Sequence, residues 1–394
     1  MASTGVSLSS RFDGGNGSLR SVRPSPGGGG GVTIDVEIEK DPPTEREGGA
    51  RHSQWFYFRL ANLPSHPNTV RLVNAGECSY ARGWEGYSCC ASFDRARWFR
   101  ITETEYADGV LRIPLPSGCS SIHLAYFAPY PLDRHLALVA ELSARPGVTH
   151  EEVGTTLDGL PIDLLRLGSG SPKVWIIARQ HPGETMASFF MEGLLRRLLD
   201  ADDPVAREVL RRCEVFAVPL MCPDGARRGH LRTNAAGANL NREWGEGTAT
   251  AARSPEVHAV LARMDAAGVH LLLDVHGDEA LPYNFISGGE GVPCWRAFHE
   301  TNQLRFQNAY CNASPDFQTK HGYGRDAPNS ANLDIGSNGV MQRFDALGMT
   351  LEMPFKDTAD SPRPEEGWSP RRSAKLGAAA LDAVLAVADF LVEK

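Results

Sequence analysis

The chain of 394 residues is longer than one ordinary domain, and it predicts about two or three domains with a substantial core. A hydrophobic share of 42% and a charged share of 22% are typical of a globular protein, and the net charge of −8 argues against nucleic acid or a membrane surface as partner. No run of about 18 apolar residues predicts a transmembrane helix, and residues 1–23 lack the apolar segment of a secretory signal.

The spacing of the eight cysteines bears on the compartment. Cys89 and Cys90 are adjacent and the others lie far apart, a pattern that fits neither a disulfide framework nor a C-x-x-C zinc site. We therefore expect reduced thiols, which predict a cytoplasmic location.

The first 150 residues predict a β-sandwich. Residues 1–31, rich in Gly and Ser and ending in the run Gly27–Gly31, predict a flexible segment that contains the start of an N-terminal domain. Apolar residues then alternate with polar ones from Val32 to Ile38, which is typical of a half-buried strand. Turn residues separate further short strands, and the sandwich is predicted over residues 32–148. These strands are predicted at 55–58, 70–73, 98–101, 110–113 and 123–127.

From residue 149 to residue 394 the pattern alternates between strand and helix. Asp158-Gly159 predicts a hairpin between two strands, and Ser-Pro pairs at 254–255 and 369–370 predict the starts of helices. Such alternation predicts an α/β domain with a mixed sheet flanked by helices. Apolar segments at 174–178, 215–218 and 271–275 predict its buried strands, and residues 184–199 a helix.

Two of these strands end in residues that bind metals. His181 and Glu184 follow the strand at 174–178, and His276 follows the strand at 271–275. The carboxyl ends of strands in such sheets usually carry the functional site. Two histidines and one glutamate with a fourth position open form a known catalytic zinc set. Each residue taken singly is more often an ordinary hydrogen-bonded side chain, so the prediction depends on their convergence.

Two further segments suggest the chemistry of a substrate site. Asn241-Arg242, with Arg232 upstream, could hold a carboxylate, because a guanidinium gives two parallel hydrogen bonds; solvated surface arginines are the alternative. Glu352 lies in the apolar segment 349–354, where a carboxylate is costly unless it is paired or functional. Beside a metal it could act as a general base, whereas a salt bridge would give it a structural role.

In their order and context these segments resemble the zinc metallocarboxypeptidases of the M14 family, and in particular the cytosolic carboxypeptidase subfamily. The segments 11–16, 54–58 and 125–130 resemble the N-terminal domain of that subfamily, so the resemblance covers nearly the whole chain. It implies hydrolysis of the last peptide bond of a peptide or protein C-terminus, and selectivity for acidic C-terminal residues is one possibility within the subfamily.

The resemblance also implies a role for each residue. His181, Glu184 and His276 would bind one Zn²⁺ per chain, and Glu352 would be the general base and then the general acid. Asn241 and Arg242 would hold the α-carboxylate of the substrate. Arg232 would bind the substrate at the scissile carbonyl and stabilise the oxyanion.

The chain departs from the family pattern in places. Many members carry Asp where this chain has Asn239, and Asp274 is the alternative partner for a zinc histidine. Tyr323 is a candidate for the mobile substrate-site tyrosine. Lys320, Arg325 and Arg343 are candidates for recognising an acidic residue.

Two other functions stay open at this point. A zinc amidohydrolase acting on N-acyl amino acids would share the ligands and the arginine clamp. A peptide-binding relative that has lost catalysis is the second.

Overall fold

Ten short strands build the N-terminal part in the computed structural model, which describes residues 5–26 and 29–392. They are β1 (Ser7–Ser9), β2 (Ser18–Pro24), β3 (Val32–Glu37), β4 (Tyr57–Ala61), β5 (Thr69–Leu72), β6 (Cys89–Ser92), β7 (Phe99–Ile101), β8 (Glu105–Ala107), β9 (Val110–Pro114) and β10 (Ser121–Ala125). They form two five-stranded sheets with the orders β1-β4-β10-β6-β7 and β2-β3-β5-β9-β8. The alternation from Val32 to Ile38 buries all four apolar side chains, and the predicted sandwich is confirmed.

The N-terminal segment is more ordered than its composition predicts. β1 pairs with β4, and β2 pairs with β3 across a bulge between Leu19 and Ser21. The prediction of a flexible segment is therefore wrong for residues 7–9 and 18–24, because strands from later in the chain supply their hydrogen-bond partners. Residues 1–4 and 27–28, which include the start of the glycine run, lie outside the described residues.

The C-terminal part alternates strands and helices as predicted. The helices are α1 (Leu132–Ser143), α2 (Met186–Leu198), α3 (Pro204–Arg212), α4 (Pro223–Arg228), α5 (Pro255–Ala267), α6 (Ala297–Ala313), α7 (Gly336–Phe344) and α8 (Pro370–Val387). The strands are β11 (Val148–Thr155), β12 (Pro161–Gly168), β13 (Lys173–Ala178), β14 (Glu214–Val218), β15 (Leu271–Val275), β16 (Phe285–Ser287) and β17 (Leu347–Glu352).

These seven strands form one mixed sheet in the order β11-β12-β14-β13-β15-β17-β16. The four central strands are parallel, and the outer three pair antiparallel with their neighbours. Val174 and Ile176 face the core formed with α2 and α8, whereas Trp175 and Ile177 face α5 and α7. Helices thus cover both faces, and the predicted α/β class is confirmed.

The two parts share a buried interface. The ring of Tyr126, just after β10, stacks on Phe355 with centroids 4.3 Å apart, and both side chains are fully buried. Helix α1, which the predicted boundary at residue 148 assigns to the sandwich, contacts β11, β12 and α4. We therefore propose that α1 belongs with the C-terminal part. Within the described residues no helix is long and apolar enough to cross a bilayer.

Candidate metal centre and active site

Three adjacent parallel strands end at the same level of the sheet. Ala178 of β13 pairs with Val275 of β15, which pairs with Leu351 of β17. His181 and His276 follow the first two strands, and Glu352 is the last residue of the third. The register therefore delivers three predicted site residues to one edge of the sheet, although up to 171 positions separate them in sequence.

A strained turn directs the chain after β13. Arg179 has a φ of 60°, the left-handed region that a non-glycine residue adopts at a cost of about 1–2 kcal/mol. Its guanidinium is buried and donates to the carbonyls of Pro182 and Tyr130, both at 2.9 Å, which hold it in this conformation. Gly183 then approaches the backbone carbonyl of Leu231 so closely that a Cβ would lie 2.9 Å from that oxygen. The turn brings His181 and Glu184 to the same side.

The predicted metal ligands converge on one point. Nδ1 of His181 lies 2.6 Å from Oε1 of Glu184, and Nδ1 of His276 lies 2.8 Å from Oε2 of the same carboxylate. The two Nδ1 atoms are 3.2 Å apart. All three side chains are buried, and the backbone N–H of Gly277 donates to Oε2 of Glu184 at 3.1 Å. The three side chains therefore place ligand atoms around a single site.

The outer nitrogens of the two imidazoles face acceptors. Nε2 of His181 lies 3.0 Å from Oδ1 of Asn239, and Nε2 of His276 lies 3.0 Å from Oδ1 of Asp274. An acceptor at Nε2 places the ring proton there and turns the Nδ1 lone pair inward. Two lone pairs and one carboxylate then face each other, an arrangement that a divalent cation stabilises. Asn239 and Asp274, which the sequence left as alternatives, each contact a different histidine.

The charges around the cluster favour a cation as well. Burial, with the nearby guanidinium of Arg232, lowers the pKa of His181 to about 3, so that this ring is neutral. Burial opposes protonation of His276, but the carboxylates of Asp274 and Glu184 raise its pKa well above the usual value. Neutral imidazole and carboxylate are the forms that bind Zn²⁺. The carboxylates of Glu184 and Asp274 therefore favour a positive charge at this point, which a bound Zn²⁺ would supply in place of the proton on His276.

Glu352 opens onto the same cavity as His181 and Glu184. Its side chain is 8% exposed, and Oε2 is buried without a hydrogen-bond partner in the structure. Burial and the negative charge of Glu184 raise the pKa of Glu352 above its usual range. A buried carboxylate with a raised pKa is suited to taking up a proton.

Two arginines give the cavity a positive side. Arg232 stacks over the ring of Tyr80, with 5.6 Å between its guanidinium carbon and the ring centroid. Burial and the charge of Arg232 lower the pKa of Arg242, so the two cations repel each other. Asn241 accepts a hydrogen bond from the backbone N–H of Gly336 at 2.7 Å, which leaves its NH₂ group as the donor side. An anionic ligand between these groups would relieve the repulsion.

The cavity has a volume of about 410 Å³ and includes residues that the sequence did not single out. Tyr80 comes from the N-terminal domain, and Asp278 and Glu279 come after His276 and Gly277. Ser337 and Thr350 share a hydrogen bond of 2.9 Å on its wall. The Asp-Glu pair next to His276 was the only local signal for any of them.

Tyr323 lines the cavity and donates its hydroxyl hydrogen to Oδ2 of Asp278 at 2.5 Å. The three basic candidates are placed differently. Arg343 pairs with Asp265 at the surface, Arg325 is 64% exposed near Glu290, and Lys320 is exposed. Among the described residues that line the cavity, the cations are Arg232 and Arg242.

A second group of metal-ligating side chains, Cys294, His299 and Asp345, lies away from this cavity. Here Nδ1 of His299 accepts from the backbone N–H of Arg296 at 3.3 Å, so the ring proton lies on Nε2, toward Asp345. The guanidinium of Arg296 also pairs with the Asp345 carboxylate at 2.7 Å. These contacts hold the group at the start of α6 and include an ion pair between Arg296 and Asp345.

Comparison with known proteins supports the same chemistry. Residues 8–127 match the cytosolic carboxypeptidase N-terminal domain, and residues 136–355 match the zinc carboxypeptidase family. A metallo-carboxypeptidase of Pseudomonas aeruginosa, solved in complex with (2-guanidinoethylmercapto)succinic acid, is 40% identical with a TM-score of 0.90, covering 98% of this chain and 100% of the other.

Two curated relatives extend the comparison. An uncharacterized protein of Zymomonas mobilis is 43% identical over 94% of both chains. Cytosolic carboxypeptidase-like protein 5 of the mouse is 28% identical over 61% of this chain, which spans 35% of that relative's length. Because the family match covers more than half of the chain and agrees with the geometry at the ends of β13, β15 and β17, this protein is a member of the M14 zinc carboxypeptidase family, a hydrolase that acts on peptide bonds.

Proposed function

We propose that the chain binds one Zn²⁺ through His181, Glu184 and His276 and removes the C-terminal residue of peptides or proteins. The observation that carries the proposal is the convergence of both Nδ1 atoms on the Glu184 carboxylate, within 2.6–3.2 Å, in a cavity that also holds Glu352 and Arg232. Zinc bound at such a site polarises a carbonyl and lowers the pKa of water from about 15.7 to near 7.

The chain's own residues divide the remaining work. Asn241 and Arg242 bind the terminal carboxylate, which places the last peptide bond over the metal centre. Glu352 takes a proton from the attacking water and gives it to the departing amine. Arg232 donates hydrogen bonds to the carbonyl oxygen as negative charge develops there. The two repelling guanidinium groups make the site selective for an anionic terminus.

Replacement of Arg232 is a direct test of the oxyanion role. We expect Arg232→Ala to reduce kcat by about 10²–10³-fold, the usual effect of removing one oxyanion donor, while KM changes less. Steady-state kinetics on one peptide, with the zinc content measured in parallel, give both values. A fall confined to KM would assign Arg232 to ground-state binding instead.

The charges that line the cavity bear on which C-terminal residue of a substrate the enzyme prefers. Selectivity for acidic residues, suggested by the subfamily, has weak support, because Lys320, Arg325 and Arg343 do not line the cavity. A preference for basic residues has more support. The cavity wall includes Asp278 and Asp326, and the relative of Pseudomonas aeruginosa binds a guanidino compound.

A panel of peptides ending in Glu, Asp, Lys, Leu and Phe, assayed with and without a chelator, tests both levels of the proposal. We expect release of the terminal residue only without chelator, and higher kcat/KM for Lys than for Glu. The reverse order would restore the acidic preference. Cleavage of N-acyl amino acids but not of peptides would instead favour the amidohydrolase.

The proposed function also predicts the zinc content of the protein and its cellular compartment. We expect about one zinc per chain, since two histidines and one glutamate form a complete catalytic ligand set. Less than about 0.1 zinc per chain would favour a peptide-binding relative without catalysis. We also propose a cytoplasmic location, which the match of residues 8–127 to the cytosolic carboxypeptidase N-terminal domain supports.

A further inference from the structure

One segment of the N-terminal domain contacts three parts of the candidate active site. Residues 41–52, which we call the bridging segment, lie between β3 and β4 and include a turn whose ends, Thr44 and Ala50, pair with each other. Side chains of this segment contact the loop of Arg232, the residue behind His181 and the backbone of Arg242.

Asp41 holds the loop that carries Arg232. Asp41 is 1% exposed, and its carboxylate accepts hydrogen bonds from three consecutive backbone N–H groups, those of Leu231 at 2.8 Å, Arg232 at 2.8 Å and Thr233 at 3.1 Å. Hydrogen bonds to a charged group contribute about 1.5–3 kcal/mol each. A residue of the N-terminal domain therefore holds the backbone of Arg232, and this sets the position from which its guanidinium side chain extends.

Glu47 fixes the orientation of the amide behind His181. Nδ2 of Asn239 donates to Oε1 of Glu47 at 2.7 Å, so Oδ1 of Asn239 must face Nε2 of His181, 3.0 Å away. His52 donates to the other oxygen of Glu47 at 2.7 Å. The hydrogen bonds from His52 and Asn239 lower the pKa of Glu47 to about 2, so that it is a carboxylate at neutral pH.

This arrangement determines which ring nitrogen of His181 carries the proton. An amide can present either oxygen or nitrogen, and only the oxygen keeps the ring proton on Nε2 and the lone pair on Nδ1. Asn239 alone could turn either its oxygen or its NH₂ group toward His181. The Glu47 carboxylate accepts only from the NH₂ group, so the oxygen must face the ring. Glu47 thus supplies from the N-terminal domain the negative charge that an aspartate at position 239 would supply directly.

Arg46 makes the third contact. Its guanidinium donates to the backbone carbonyl of Arg242 at 2.8 Å and to Asp334 at 2.8 Å. Its side chain is 33% exposed, so this contact is the weakest of the three. It nevertheless joins the bridging segment to Arg242, one of the two residues proposed to bind the substrate carboxylate.

We propose that Asp41 and Glu47 are positioning residues of the active site: Asp41 orients Arg232, and Glu47, through Asn239, orients His181 for metal binding. The proposal rests on the function proposed above. It gives the N-terminal domain a part in metal affinity and turnover that is separate from its part in holding the fold together.

Zinc affinity, measured by competition with a chromogenic chelator, tests the Glu47 relay without any activity assay. We expect Glu47→Ala and Asn239→Ala each to weaken zinc binding by about 10–100-fold. The double variant should bind as Asn239→Ala does, within about twofold, because both changes break one relay. Independent, multiplying losses would overturn the relay, as would Glu47→Ala binding zinc like the parent.

A charge exchange keeps the test decisive if alanine disturbs folding. In Glu47→Gln with Asn239→Asp, the carboxylate moves next to His181 and the amide moves behind it, with the hydrogen-bond chain intact. We expect zinc affinity within about twofold of the parent. Affinity as weak as that of Asn239→Ala would contradict the proposal.

Turnover tests Asp41. We expect Asp41→Asn to lower kcat by about 10–100-fold, as misplacement of a catalytic group does, with zinc affinity unchanged. In the Arg232→Ala background the same change should cost no more than about twofold, since the group it positions is gone. An equal loss in both backgrounds would make Asp41 an ordinary interface residue.

Arg100 provides a matched control at the same interface. Its guanidinium is buried in the sandwich and donates to the carbonyls of Phe355 at 2.8 Å and Trp368 at 3.0 Å in the other domain. Arg100→Met should lower thermal stability with kcat and zinc affinity near parental values. A parent chain that binds zinc but cleaves no peptide would refute the proposed function, while the Glu47 cycle would still decide the relay.

Discussion

Glu352→Gln is expected to retain zinc and to lose about 10²–10⁴-fold in kcat, the contribution of general acid–base catalysis. The amide has nearly the same shape as the carboxylate but cannot take up a proton. Oε2 of Glu352 is buried, and burial together with the charge of Glu184 raises the pKa of this carboxylate, which strengthens it as a base. The loss should therefore appear in the chemical step and leave KM near its parental value.

Kinetics and metal analysis on the same preparation distinguish this result from damage to the site. Glu103→Gln, at an exposed position of the sandwich, is the matched control for the chemical change. The base assignment is wrong if Glu352→Gln turns over within about threefold of the parent, because general bases contribute far more than that. A loss of zinc would instead give Glu352 a role in metal binding.

Glu184→Ala is expected to abolish tight zinc binding and, with it, peptidase activity. Glu184 contacts both other predicted ligands, since its two oxygens lie 2.6 Å and 2.8 Å from the Nδ1 atoms of the two histidines. Changes behind the ligands cost about 10–100-fold in affinity, so removal of a ligand should cost more. Loss of the metal removes several kcal/mol of transition-state stabilisation, which corresponds to at least about 10³-fold in turnover.

The measurement is zinc per chain after dialysis, followed by activity with added zinc. Glu141→Ala serves as control, because Glu141 is exposed on α1 and pairs only with Arg196 among the described residues. A Glu184→Ala chain that keeps one zinc and full turnover would refute the metal centre. Partial recovery at high zinc would agree with it, since two histidines still bind weakly.

The strands that position the site could be predicted because they carry local signals. The segments 174–178 and 271–275 are short and apolar, and the structure places β13 and β15 there. Several elements lacked such signals. β16 has only three residues, and β1 and β2 lie in a segment whose composition suggested flexibility. For these the partner strand decides, and sequence periodicity does not reveal a partner.

The site residues also divide into those with a local sequence signal and those without one. His181, Glu184, His276 and Glu352 follow or end strands, so their residue types and places indicated a metal centre. The basic candidates Lys320, Arg325 and Arg343 had the right charge but occupy the surface. Lys320 and Arg325 lie in a loop and Arg343 lies near the end of α7, and nothing in the local sequence tells whether such a side chain points into the cavity or into solvent.

The sequence by itself determined the two fold classes, the metal-ligating residue types and their place at strand ends, since these follow from hydrophobic periodicity and from residues that come directly after it. Only the tertiary structure decided that Asn239 contacts His181 while Asp274 contacts His276, and that Asp41 and Glu47 reach the site from 190 and 192 positions away. The contacts of Asp41 and Glu47 depend on how the two domains pack, whereas those of the two histidines depend on how strands and loops lie together within the C-terminal part. Both arrangements are properties of the whole chain that local propensity does not carry.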